Sequence, residues 1–149
     1  MLGNVAPKNI IKQPAYAGKG KNMEIEKTVD NTMTSEQMAM EIVKILDEKK
    51  ARDIKLLSVK DKTVLTDYFV ICSGTSNTQI KSLAGEVEFK MGEKGVTPLG
   101  TEGYDAGTWI AIDFAHVIVH IFNKDQREFY KLEKLWSDAE EIPLELTED

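Results

Sequence analysis

The sequence predicts an α/β domain in which a mixed sheet of about five strands is flanked by helices. Three patterns carry that reading. Three positions pair a Thr, Ser or Asn with a Gln three residues on (Thr34/Gln37, Ser76/Gln79, Asn123/Gln126), the spacing with which a helix start satisfies its own free N–H groups. Two six-residue runs, YFVICS at 68–73 and VIVHIF at 117–122, are almost wholly apolar, as strands covered on both faces are. Helix-like and strand-like segments then alternate in the order α-β-β-α-β-β-β-α, which a single parallel or antiparallel motif does not produce.

Each element has its own signal. After Thr34, the apolar residues Met38, Ile42, Ile45 and Leu46 recur on one helical face. Lys49 and Lys50 suit the negative end of that helix, which is expected to stop before Asp53. Residues 54–59 form a short apolar run bounded by charges, a first strand, and residues 60–63 a turn. The run at 68–73 is a second strand ended by Gly74. Ile80, Leu83, Ala84, Val87 and Met91 make a second amphipathic helix, which Gly92 and Gly95 can terminate. Residues 95–107 are glycine-rich loop, with a short third strand expected around 96–99. Residues 109–114 and 117–122 read as a β-hairpin. A last helix opens at Asn123 and carries Phe129, Leu132, Leu135 and Trp136 as its apolar positions.

Composition bounds the function. The 149 residues are 42% hydrophobic and 30% charged, which excludes a wholly disordered or collagen-like chain. No stretch approaches the ~20 apolar residues of a membrane span. The single Cys72 excludes a disulfide framework and a multi-cysteine zinc site. Residues 1–32 hold five lysines and three acids, net +2, without apolar periodicity; they are expected to be a disordered or cloning-derived extension. Residues 33–149 hold 14 basic and 22 acidic residues, net −8. Nucleic acid is therefore not expected as the main ligand, and a basic protein partner fits better. The domain is expected at 33–137, with 138–149, which contains six acids and no base, as an acidic mobile tail.

Several residues invite a chemical reading. The Gly74–Asn77 turn joins a strand to a helix, where backbone N–H groups can hold phosphate; without a following Gly-Lys-Ser/Thr the favoured reading is a tight turn with Ser76 as helix cap. Cys72, His120 and Asp113 are the residue types of a cysteine hydrolase, but Cys72 lies inside an apolar strand, where a cysteine packs as a small hydrophobe. Two-metal phosphoryl transfer needs paired carboxylates, and the residue two before Asp113 is Ala111. If the hairpin turns at Ala115-His116 or at residues 114–117, Trp109 opposes Phe122, Ala111 opposes His120 and Asp113 opposes Ile118. These six side chains then share one face, either as a functional group of residues or with Asp113 and His120 as a buried hydrogen-bonded pair.

Seven blocks in order carry a resemblance: Lys50–Ile54, Thr66–Ile71, Gly74–Asn77, Glu102–Tyr104, Trp109–Asp113, Val117–Phe122, and Arg127–Tyr130 followed by Leu132–Trp136. From about Thr34 to Trp136 the chain resembles the ribosomal silencing factor, or iojap, family. The resemblance implies a nucleotidyltransferase-like fold that lacks the catalytic carboxylates, no enzymatic activity and no cofactor. It implies a cytoplasmic factor that binds ribosomal protein L fourteen, blocks joining of the small subunit and represses translation, and that forms homodimers. The runner-up is a nucleotide-binding or nucleotidyltransferase-like enzyme built on the Gly74 turn and Asp113. The family's hairpin turn usually carries Gly-Asp, where this chain has Ala115-His116. The residues expected to meet the partner are Glu102, Gly103, Tyr104, Trp109, Asp113, His120 and Tyr130. For Trp109 the competing reading is a core residue under a helix.

Overall fold

A computed structural model describes residues 33–147. The extension expected at residues 1–32 lies outside the described residues.

Helix α1 (Ser35–Glu48) starts with a complete capping box: Gln37 N donates to Thr34 Oγ1, and Thr34 N donates to Gln37 Oε1. Its apolar stripe, Met38, Ile42, Ile45 and Leu46, is buried. Strand β1 (Arg52–Ser58) follows, with a bulge between Arg52 and Lys55 at which Asp53 takes a left-handed φ of 49°. Strand β2 (Tyr68–Ser73) is buried throughout, and helix α2 (Asn77–Glu93) is capped by Ser76. A hypothetical Cβ on Gly74 would lie 2.7 Å from Ile80, so the strand-to-helix turn needs glycine for space.

The third strand, β3 (Gly100–Glu102), lies later than the expected 96–99. Val96 still belongs to the helix end, its N–H bonded to Met91 O, and Pro98 has no N–H to give, so the ladder begins at Leu99 N, which donates to Asp113 O. Strands β4 (Trp109–Asp113) and β5 (Val117–Phe122) form the hairpin with the expected register: Trp109 opposite Phe122, Ala111 opposite His120, Asp113 opposite Ile118. Phe114 N donates to Val117 O, so the loop is the expected two-residue Ala115-His116. His116 N donates to Phe114 O across Ala115, whose φ is 74°.

The last helix is two helices, α3 (Lys124–Tyr130) and α4 (Leu132–Leu135), separated by Lys131 at φ 48°. The segment expected as a mobile tail supplies a sixth strand, β6 (Glu140–Glu141), paired with Leu57 and Ser58 of β1. Its acids hide two apolar anchors: Ile142 and Leu144 pack against the core, and Thr147 bonds the Asp47 carboxylate from both its N–H and its hydroxyl.

The sheet order is β3-β4-β5-β2-β1-β6, antiparallel except for the central parallel pair β2 and β5. Helices α1 and α2 cover one face, over Leu56, Val70, Ile110, Val119 and Ile121. The other face, with Phe69, Ile71, Trp109, Ile118 and Phe122, is covered through Leu132 of α4. The helices after the two parallel strands thus leave to opposite faces, which opens a crevice at the carboxyl ends of β2 and β5.

Candidate functional site

The hairpin face builds a buried aromatic stack. Trp109 is 1% exposed and His120 fully buried. Trp109 Nε1–H donates to His120 Nδ1 at 3.0 Å, so the neutral imidazole carries its proton on Nε2. Phe69, Trp109 and Phe122 surround the ring, and burial pushes its pKa from the ordinary 6.5 down to about 3. His120 Nε2 and the buried Trp136 Nε1 have no hydrogen-bond partner among the described residues. His120 is bonded to Trp109, which corrects the expected Asp113–His120 pair. The Asp113 carboxylate turns to the hairpin end, where it accepts from Ala115 N at 2.8 Å.

The stack holds the two short helices in place. Tyr130 lies against Trp109, ring centroids 4.7 Å apart, and Trp136 against Phe69 at 5.2 Å. Arg127 ties the bend to the sheet, donating to Ser73 Oγ at 2.8 Å and to Glu133 Oε2 at 2.6 Å. An unbroken helix would bury Phe129, Leu132, Leu135 and Trp136 together. The left-handed Lys131 changes the phase, so Leu132 is buried while Phe129 is 76% and Leu135 67% exposed. The apolar pattern puts neither on the surface, and no Gly, Asn or Pro at 130–132 signals the break.

The residues expected to meet a partner fall into three groups. Trp109, His120 and Tyr130 come together, the first two inside the protein and Tyr130 half-buried over them. Trp109 and His120 therefore offer a partner no surface and act only through the face they support. Glu102, Gly103 and Tyr104 adjoin them: Glu102 pairs with Ala111, and Gly103 at φ 84° packs so closely on Trp109 O that any Cβ would overlap it. Tyr104 is 47% exposed with Lys81 Nζ over its ring. Asp113 sits apart, at the turn end of the hairpin.

The catalytic readings meet physical obstacles. Burial pushes the Cys72 thiol up to about 12, so it is no nucleophile, and it packs in the core on the face opposite His120. At the Gly74 turn, Gly74 N donates to Phe122 O, Thr75 N to Gln79 Oε1 and Gln79 N to Ser76 Oγ, so these three N–H groups are already engaged. Asp113 faces Gly100 and Ile118 across the ladder, neither of them a carboxylate. Among the described residues no group of three His, Cys, Asp or Glu side chains could hold a metal ion, and no helix is long and apolar enough to cross a membrane.

Beside the bend lies a cleft of about 1040 Å³, at the crevice between the carboxyl ends of β2 and β5. Arg52, Lys55, Lys124, Arg127, Lys131 and Lys134 line it, together with hydroxyls and four carboxylates.

Comparison with known proteins places this geometry. The profile of the family described as ribosomal silencing factor during starvation matches residues 32–149. A ribosomal silencing factor from Halalkalibacterium halodurans is 37% identical over 113 residues, which cover 76% of this chain and 97% of that protein. A mouse protein named for mitochondrial assembly of the ribosomal large subunit is 35% identical over 99 residues, 64% of this chain and 43% of its own. A crystal structure of a Chromobacterium violaceum protein superposes with a TM-score of 0.69 at 29% identity, covering 78% of this chain and 95% of that one.

Proposed function

Because this chain belongs to the ribosomal silencing factor family, we propose that it is a translation repressor of the cytoplasm that works by occupying the large ribosomal subunit. It docks on the basic ribosomal protein L fourteen and fills space that the small subunit needs, without cofactor or chemistry. The observation that carries the docking face is the exposed apolar pair on the bend, Phe129 and Leu135. Large apolar side chains held this far out on a rigid support are the usual anchors of a protein interface. The support is rigid because Tyr130, Trp109 and His120 stack beneath it and Arg127 clamps it. Tyr104 and Glu102 extend the face from the neighbouring loop. The domain's acidic balance, 22 acids against 14 bases over residues 33–149, steers it toward a basic protein.

The test is co-sedimentation with purified large subunits, followed by a light-scattering assay of subunit joining. The paired variant Phe129→Ser/Leu135→Ser removes only exposed side chains, so the fold is retained. Loss of interface anchors costs about 2 kcal/mol or more, roughly thirtyfold in affinity. The variant is expected to bind at least about tenfold more weakly and to stop inhibiting joining. Parent-like binding by the folded variant refutes the assignment of this face. Failure of the parent to bind large subunits refutes the function.

A further inference from the structure

The cleft beside the bend gathers cations on a domain that is otherwise acidic. Six of the 14 basic residues of 33–149 line it. Two are neutralised where they stand, Lys55 by Glu141 at 3.3 Å and Arg127 by Glu133 at 2.6 Å. The other four, Arg52, Lys124, Lys131 and Lys134, are exposed and enter no salt bridge among the described residues. Asp53, Asp125 and Glu128 share the lining.

This composition selects the ligand. Among the described residues no aromatic or large apolar side chain lines the cleft, so a nucleoside base finds nothing there to stack on. A compact polyphosphate wants cations that converge on one point, whereas here Asp53, Asp125 and Glu128 stand among them, and the N–H groups of Gly74 and Thr75 are bonded within the protein. Cations spaced among carboxylates and hydroxyls suit instead an extended chain that presents one phosphate at a time. The geometry points to an RNA phosphodiester backbone as the ligand of this cleft. The inference rests on the docking reading in one respect: Lys124, Lys131 and Lys134 belong to the same bend as Phe129 and Leu135. A protein seated through the apolar pair carries the cleft onto the surface beside its partner, and in a ribosome that surface is largely RNA. The acidic whole still disfavours nucleic acid as the main ligand; the cleft adds a second, local contact.

The test uses the full chain with the triple variant Lys124→Gln/Lys131→Gln/Lys134→Gln, whose exposed side chains leave the thermal midpoint unchanged. Affinity is measured from 50 to 200 mM salt against two probes, purified large subunits and isolated ribosomal protein L fourteen. For the subunits, the variant is expected to lose about tenfold or more at the low end, and the plot of log affinity against log salt to flatten by about 2 to 3. For the isolated protein, its affinity is expected to stay within about twofold of the parent's. Unchanged subunit affinity and slope overturn the proposal. Equal weakening toward both probes also overturns it, since the cleft would then touch the protein. A parent that binds subunits with the lysine-dependent slope but ignores the isolated protein supports the RNA contact and refutes docking on that protein. A parent that binds no subunits overturns both.

Discussion

Acid should loosen this protein through one side chain, His120. The imidazole is fully buried among aromatic rings, and its pKa falls from 6.5 to about 3. Between those values the unfolded chain holds a proton at position 120 that the native chain does not. Stability is therefore fully present above pH 6.5 and falls as the pH drops through this window, by about 1.4 kcal/mol per unit. At pH 5 the loss from His120 alone is about 2 kcal/mol, a large share of the 5–15 kcal/mol typical of a domain. The assay is urea unfolding of the parent and of His120→Asn at pH 7 and pH 5. The shorter amide can offer an oxygen near the position of Nδ1, and it does not titrate. All other side chains are common to the two proteins, so their contributions cancel in the comparison. The parent should lose about 2 kcal/mol more than the variant between the two pH values, whatever their absolute stabilities. Equal losses would show that His120 takes up its proton in the native state at near-ordinary cost, and the buried stack as described would be wrong.

Two further substitutions probe the support of the docking face. Trp109→Ala should cost about 3–5 kcal/mol in chemical denaturation, because a fully buried indole leaves a cavity and strands its His120 partner; a loss below about 1 kcal/mol would place the indole outside the core. Gly103→Ala should cost about 2 kcal/mol or more, since φ is 84° and the new Cβ meets the Trp109 carbonyl; an unchanged midpoint would mean that the loop relaxes freely.

Much of the fold was legible because its signals are local. The three cap spacings at Thr34, Ser76 and Asn123 all form the expected side-chain bonds to the N–H three residues on. The hairpin register followed from the position of the turn, and alternation then gave the face shared by Trp109, Ala111, Ile118 and Phe122. What escaped depends on contacts distant in sequence. The sixth strand exists because Ile142 and Leu144 reach the core on either side of Pro143, which composition reads as an acidic tail. The break at Lys131 is held by Arg127 bridging Ser73 and Glu133, partners 54 and 6 residues away. Without that break Phe129 and Leu135 read as core, so the most exposed part of the candidate face was hidden from the sequence. The hydrogen bond between Trp109 and His120 was similarly invisible: alternation put them on one face without saying which neighbour the imidazole would choose.

The same register decides what the unusual turn means. Ala115-His116 stands where the resemblance implies Gly-Asp, and Ala115 holds a φ of 74° that glycine adopts without strain. The turn closes one end of the hairpin, while the Trp109–Phe122 pair lies at the other. Four residue steps along the strand separate Asp113 from Trp109, about 13 Å at the usual rise. The Asp113 carboxylate braces the turn by accepting from Ala115 N, and His116 lies 3.3 Å from Ser35 Oγ, against the start of α1. The side chains at the turn therefore face the helix that opens the domain and not the bend at α3 and α4. The replacement acts on local stability and on the seating of α1. The proposed docking face and the cationic cleft, both at the Phe122 end, keep their geometry regardless of it.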